Sequence, residues 1–330
     1  MPDLPPVLLI AFNRTDTLAA VIRALAPVAP PRMYVAADGP RAGRAGEAER
    51  CAQVRAMLTS LPWKCEIKTR FLDANAGCAR GVSGAVSWLF EHEESGAILE
   101  DDCVPDASFL PYCAEALARH AADERVMSVL GTRYAPQDRG QRASYSFTRI
   151  FSPWGWASWR RAWKRYELDI GDWRAKLPTR GQPMPDFGAP SARAWARKFD
   201  GVVRPSPHTW DYQWHFAHFR HGGLCAVPKS NLVSNIGEGP NATHIGKGSV
   251  WLDLPRVELD FPLVPPTEIA ADAGVDTHRE LQHLNHRGWI ARKWWQIRNR
   301  HAIGSVASRR GWSGSTESCG DGTPAARANG

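Results

Sequence analysis

Val7-Leu8-Leu9-Ile10-Ala11-Phe12 is an unbroken apolar run, as required of a parallel strand buried on both faces. Asn13-Arg14-Thr15-Asp16 follows with cap-type residues, and Leu18, Val21, Ile22 and Leu25 recur at helical spacing until the prolines of 27–31. Met33–Ala37 reads as a second strand, closed by Asp38-Gly39-Pro40-Arg41, and Glu47–Leu58 as a helix. Cys65–Phe71 alternates like a third strand, Asn75–Phe90 reads as a helix, and Gly96–Leu99 is a fourth strand running into Glu100-Asp101-Asp102. This alternation predicts an α/β fold with a doubly wound, mostly parallel sheet.

From Ser144 the pattern changes to short strand-like pieces, tryptophans and proline-rich turns, with a further strand at Leu224–Val227. Pro255–Pro266 reads as a connector, and Gly288–Arg300 is basic and Trp-rich. Residues 304–330, rich in Gly, Ser, Ala and Arg, are expected to be disordered. The expected organisation is a catalytic domain over 1–255, a connector and basic helix over 256–303, and a tail over 304–330.

The 330 residues, 43% hydrophobic and 23% charged, suit a globular chain with one large or two small domains. No apolar run approaches the roughly 18 residues of a membrane span, and the first residues lack the pattern of a signal peptide. Seven scattered cysteines without C-x-x-C spacing argue against a zinc site or disulfide framework and toward a reducing cytoplasm. The net charge of +7 suits an anionic ligand or a membrane face. A nucleic-acid partner is not expected, because no basic-aromatic binding motif is present.

Candidate chemistry begins at Glu100-Asp101-Asp102. Three adjacent acids at the end of a buried strand repel one another and resist burial. A hard divalent cation, Mg²⁺ or Mn²⁺, would offset that cost and bridge phosphate oxygens; a solvated acidic turn is the alternative. Ile98–Phe109 resembles the Asp-x-Asp region of GT-A glycosyltransferases, and its Glu-Asp-Asp form is similar to that of N-acetylglucosaminyltransferase I. With Leu9–Arg14, Ala36–Arg41 and Asn75–Gly81, the ordered set resembles bacterial family 2-like, HlpA-like glycosyltransferases over about residues 5–255.

The resemblance implies a GT-A fold and a nucleotide-sugar donor whose base is uridine. It makes Asp102 the metal ligand and places Glu100 on the ribose side, with Asp101 beside it. Phe12, Asn13 and Arg14 end the first strand, where Arg14 could pair with a phosphate. Asp38 would approach the base or ribose, although Asp-Gly-Pro is equally a turn composition. Asn75, Gly77 and Arg80 open a helix whose N-terminus favours anions. Trp154, Trp156 and Trp159 could offer ring faces to a saccharide acceptor, or could be core.

Asp211, in Trp210-Asp211-Tyr212-Gln213-Trp214, matches the base position of the transferase and implies inversion; a helix cap is the other reading. His244, after a glycine-rich loop, would be a second metal ligand, or a surface histidine. Other readings are a nucleotidyltransferase, which lacks here the glycine-rich loop after the first strand, and a non-catalytic carbohydrate-binding protein. Ile290, Trp294 and Ile297 share a helical face ringed by Arg292, Lys293 and Arg298. That helix could lie on the inner membrane face beside a lipid-linked acceptor, or close against the domain.

Overall fold

The computed structural model describes residues 2–134, 141–177, 189–203, 208–237 and 251–284. In chain order the elements are β1 (Val7–Ala11), α1 (Thr15–Leu25), β2 (Arg32–Ala37), α2 (Glu47–Thr59), β3 (Glu66–Phe71), α3 (Gly77–His92) and β4 (Ser95–Glu100). Then come β5 (Cys103–Pro105), α4 (Phe109–Arg119), β6 (Val126–Leu130), β7 (Tyr145–Thr148), β8 (Trp156–Trp159), α5 (Arg160–Trp163) and α6 (Trp173–Lys176). The last are α7 (Ala189–Val202), α8 (Asp211–His221), β9 (Leu224–Pro228), β10 (Val233–Asn235) and α9 (Ala273–Leu284).

β1 is buried along its whole length because it lies inside an eight-stranded sheet of order β3-β2-β1-β4-β8-β6-β9-β7. It pairs in parallel with β2 on one side and β4 on the other, so that Leu9 faces both Val35 and Leu99. Its alternate residues feed two cores. Leu9 packs with Leu18, Val21, Val54 and Phe109 of α1, α2 and α4. Leu8 and Ile10 pack with Val82, Val86 and Leu89 of α3 and with Trp214 of α8. Helices thus cover both faces, and the expected α/β doubly wound architecture is what the chain adopts.

The winding has one reversal. β1, β2 and β3 step outward in one direction, and α3 then carries the chain back across to β4 on the far side of β1. In open α/β sheets the crevice at such a reversal, beyond the carboxyl ends of the strands, is where ligands sit.

The second half is mixed. β8 runs antiparallel to both β4 and β6, β6 is parallel to β9, and β7 is antiparallel to β9 at the edge. A separate β5–β10 pair sets Asn235 opposite Cys103. Its fit depends on two glycines beneath it. A Cβ on Gly131 or Gly155 would come within 2.4 or 2.6 Å of Val233, and Gly155 sits at φ +66, in the left-handed region.

Residues 256–284, read as a connector, pack on the main core. Leu259 and Leu263 join the α1/α2/α4 side, and Val275 joins the opposite side. Buried Asp276 accepts bonds from Thr148 Oγ1 at 2.6 Å and from the Arg149 backbone and side chain at 2.9 Å each. The packing therefore does not stop at the expected boundary of 255. The sequence missed this because the apolar anchors Leu259, Leu263 and Val275 are widely spaced and the rest of the anchoring is by the buried Asp276. The basic Trp-rich segment and the tail lie outside the described residues. Among those described, no helix is long and apolar enough to cross a membrane.

Gly155→Ala is expected to destabilise the fold by about 2–4 kcal/mol, combining overpacking with left-handed strain. Adding Val233→Ala should recover part of that loss in denaturant titrations, since it removes the clash but not the strain.

Candidate functional site

At the reversal, the ends of β1 and β4 bring four charged residues together. Glu100 ends β4, and Asp101 and Asp102 form the turn into β5. Both aspartates are buried, with 3% and 8% of their surface exposed. Arg14, just beyond β1, bonds to Asp101 and, at 2.8 Å, to Asp102 through the same Nη2. Asp101 also accepts the backbone N–H of Phe12 at 3.3 Å. One guanidinium therefore ties the two central strands together and offsets part of the acidic charge.

The remainder of that charge is uncompensated. Glu100, half-buried, has its carboxyl pushed up to about 8, by desolvation first and then by Asp102 and Asp101. Asp101 is also raised, by desolvation against the opposing pull of Arg14. Asp102 is enclosed from the side. Asn235 donates Nδ2 to its Oδ1 at 3.0 Å, and Ile236 donates its backbone N–H to the Asp102 carbonyl at 2.9 Å. A Cβ on Gly237 would come within 2.2 Å of Asp102 Oδ2. This contact needs glycine because the chain lies directly on the carboxylate.

Asp211 arrives from α8. Thr209 Oγ1 bonds to its carboxylate, and its charge adds, as the smallest of the causes, to the upward shift of Glu100. The seat beneath it is aromatic. Trp156 of β8 stacks on Trp210 at 5.6 Å and 22°, and Trp214 is fully buried below.

This corrects the acceptor reading of two tryptophans. Trp156 is 0% and Trp159 4% exposed, so neither ring face is open to a saccharide. Trp159 instead donates Nε1 to the Leu117 carbonyl at 3.3 Å. Trp154 is only partly buried and stands edge-on to Tyr134 at 5.6 Å, with Trp251 on the same tyrosine at 5.5 Å.

The first turn of α3 also differs from expectation. The Asp38 carboxylate accepts the backbone N–H groups of Gly39, Ala76 and Gly77 at 2.8, 2.8 and 3.1 Å, and Asn75 Nδ2 at 3.0 Å. The chain's own carboxylate therefore fills the anion position at this helix start. Asp38 and Asn75 form a cap that joins β2 to α3, with Gly77 at φ +77 completing the turn. Arg80 is exposed on the same helix.

Asn13 turns to Glu47, donating Nδ2 at 3.0 Å. Glu47 is 1% exposed and is held down to about 2, chiefly by the side chain of Arg41. Arg41 in turn lies 5.4 Å over the Phe12 ring. Sequence reading missed Glu47, and it took Asn235 and Gly237 only as the start of the glycine-rich loop that leads to His244, without a role of their own. Glu47 looked like an ordinary first-turn acid, and the other two gain meaning only from residues about 130 positions away.

His244 lies outside the described residues. Among those described, no three His, Cys, Asp or Glu side chains form a metal cage. An ion here would be held by one or two carboxylates together with phosphate oxygens, the usual arrangement for Mg²⁺ at a nucleotide.

No protein-family model and no curated protein sequence matches the chain. Among solved structures it is similar to a mannosyltransferase from Pyrobaculum calidifontis in complex with GDP-Man and Mn²⁺, at 17% identity over 67% of this chain and 72% of that one (TM-score 0.35). It is also similar to S. aureus TarS in complex with UDP-GlcNAc, at 13% identity over 69% and 57% (TM-score 0.38). An active-site mutant of LgtC matches at 14% identity over 89% and 95% (TM-score 0.33). The chain thus spans less than two thirds of the TarS chain it matches.

The Glu100 shift gives a signed expectation. A carboxyl raised in the folded state destabilises that state progressively as pH rises from its ordinary value of about 4.5 to about 8. Glu100→Gln should therefore stabilise the metal-free protein by roughly 1–3 kcal/mol at pH 8 and by little at pH 4.5, read from melting curves at both pH values.

Proposed function

We propose that this chain is a metal-dependent GT-A glycosyltransferase that moves a sugar from a nucleoside-diphosphate donor, a uridine one, to a hydroxyl group. The observation that carries this reading is the meeting at the sheet's reversal of Arg14 with Asp101 and Asp102, directly after Glu100 at the end of β4. An acidic strand end with too few counter-charges suits a divalent cation. A nearby guanidinium suits a diphosphate. A separate carboxylate on an aromatic seat suits proton transfer.

In this reading Asp102 holds the metal, and by resemblance alone His244 is a second ligand. When bound, the metal supplies positive charge to the leaving diphosphate. Arg14 adds a second positive group there. Glu100 and Asp101 shape the ribose and diphosphate side, and Phe12 under Arg41 lines the entrance to the base. Asp211 accepts the proton of the acceptor hydroxyl as its oxygen attacks the anomeric carbon from the face opposite the diphosphate, which inverts that centre. Trp154, the most open of the three candidate tryptophans, is the remaining acceptor contact. Saccharide and lipid-linked hydroxyls both satisfy this chemistry.

The test is a thermal-shift screen of UDP- and GDP-sugars with and without Mn²⁺, because a ligand of the native state raises its melting point. A metal-dependent rise with a UDP-sugar is expected, and no rise with any donor would sink the reading. Asp102→Asn should remove the metal-dependent part. Asp211→Asn should leave donor binding nearly unchanged and lower turnover on the order of 10²- to 10⁴-fold. An equal loss of donor affinity would make Asp211 a binding or structural residue instead.

A further inference from the structure

We infer that Arg14 is an internal counter-ion that changes partners during binding, leaving Asp102 for the donor diphosphate as the metal takes its place. The inference rests on the metal-and-diphosphate reading above and adds a step that couples the two ligands.

The argument starts from the oxygens of Asp102. Oδ1 accepts Asn235 Nδ2 at 3.0 Å and faces the Cys103 thiol at 3.5 Å. Oδ2 accepts Arg14 Nη2 at 2.8 Å. The backbone of Gly237 lies against the same oxygen and also against Arg14, so that a Cβ there would be 2.2 Å from Oδ2 and 3.1 Å from Nη1. Both oxygens are therefore engaged from within the chain. A divalent cation reaching Oδ2 meets a guanidinium already bound to it, and the two positive groups repel at that distance.

Arg14 has somewhere to go. Its Nη2 is shared with Asp101, and Asp101 is fixed independently by the Phe12 N–H at 3.3 Å. The Arg14 side chain is 23% exposed, whereas those of Asp101 and Asp102 are 4% and 12% exposed. The guanidinium is thus the most accessible of the three groups. Pivoting about Asp101 frees Asp102 and leaves the fork of Arg14 directed at phosphate oxygens, which it can bond in pairs.

Metal alone must displace Arg14 with no new partner for it, and so binds weakly. Diphosphate gives Arg14 that partner and exposes Oδ2. The two ligands then favour each other, and by linkage to the same extent in both directions.

The test uses the full chain, with Mn²⁺ alone and with Mn²⁺ plus UDP or GDP as probes, and free Mn²⁺ is followed by electron paramagnetic resonance. Arg14→Met should bind Mn²⁺ alone about tenfold more tightly than the wild type. The enhancement of Mn²⁺ binding by nucleoside diphosphate should shrink by a similar factor. Mn²⁺ alone should also raise the variant's melting point more than the wild type's. Unchanged or weaker Mn²⁺ affinity in the variant overturns the inference.

If Arg14→Met fails to fold because Asp101 loses its partner, Arg14→Lys replaces it. Lysine keeps the charge but loses the fork, so a smaller tightening, about two- to threefold, is expected, and none overturns the proposal. Wild-type protein that takes up no Mn²⁺ even with UDP or GDP present brings down the metal-dependent reading itself, and the inference with it.

Discussion

The bond from Arg14 to Asp101 and Asp102 joins the two strands on either side of the sheet's reversal. The sheet places the ends of β1 and β4 next to each other, and the chain puts acids on one end and a guanidinium on the other. Without that cation, two nearly buried carboxylates would lie side by side directly after Glu100, with no positive partner. With it, the cluster is held but not neutral. Neighbouring features are arranged around this imbalance: Asn235 bonds to Asp102 and Gly237 leaves room for it.

A second carboxylate has a different task. Asp38 sits one strand over, near enough to the crevice to be mistaken for a ligand contact, yet its oxygens accept three backbone N–H groups and an amide. It fastens the start of α3 to the end of β2. The start of α3 is therefore already occupied by the chain's own carboxylate.

The readable parts of this sequence were those set by local pattern. The unbroken run Val7–Phe12 and the helical spacing of Leu18, Val21, Ile22 and Leu25 correspond to β1 and α1, because burial on two faces and on one face leave different periods. The acidic triplet was legible for the same reason, lying directly after an apolar strand. The tryptophans were not, since an indole stacked on a sugar and one stacked on another indole are written with the same letter. Trp156 lies against Trp210 within the core. Glu47 and Asp276 were also unreadable. Each is a buried acid whose partners, Arg41 and Asn13 in one case and Thr148 and Arg149 in the other, are brought to it only by the tertiary fold.

The pairing of Asn235 with Asp102 spans 133 residues, and this bears on how the molecule can assemble. β1 to β4 are consecutive, pair with one another and fall within the first 100 residues. Val7 and Ala97 of the β1–β4 pair already lie 90 positions apart, whereas Ser128 and Ser158 of β6 and β8 lie 30 apart and Ser234 and Val104 of β10 and β5 lie 130 apart. Loop-closure entropy grows only slowly with length, so the 87-residue span from Arg14 to Asp101 and the 133-residue span from Asn235 to Asp102 cost nearly the same to close. The acid cluster therefore has long-range partners on both sides, and its full set of bonds needs both halves of the chain in place.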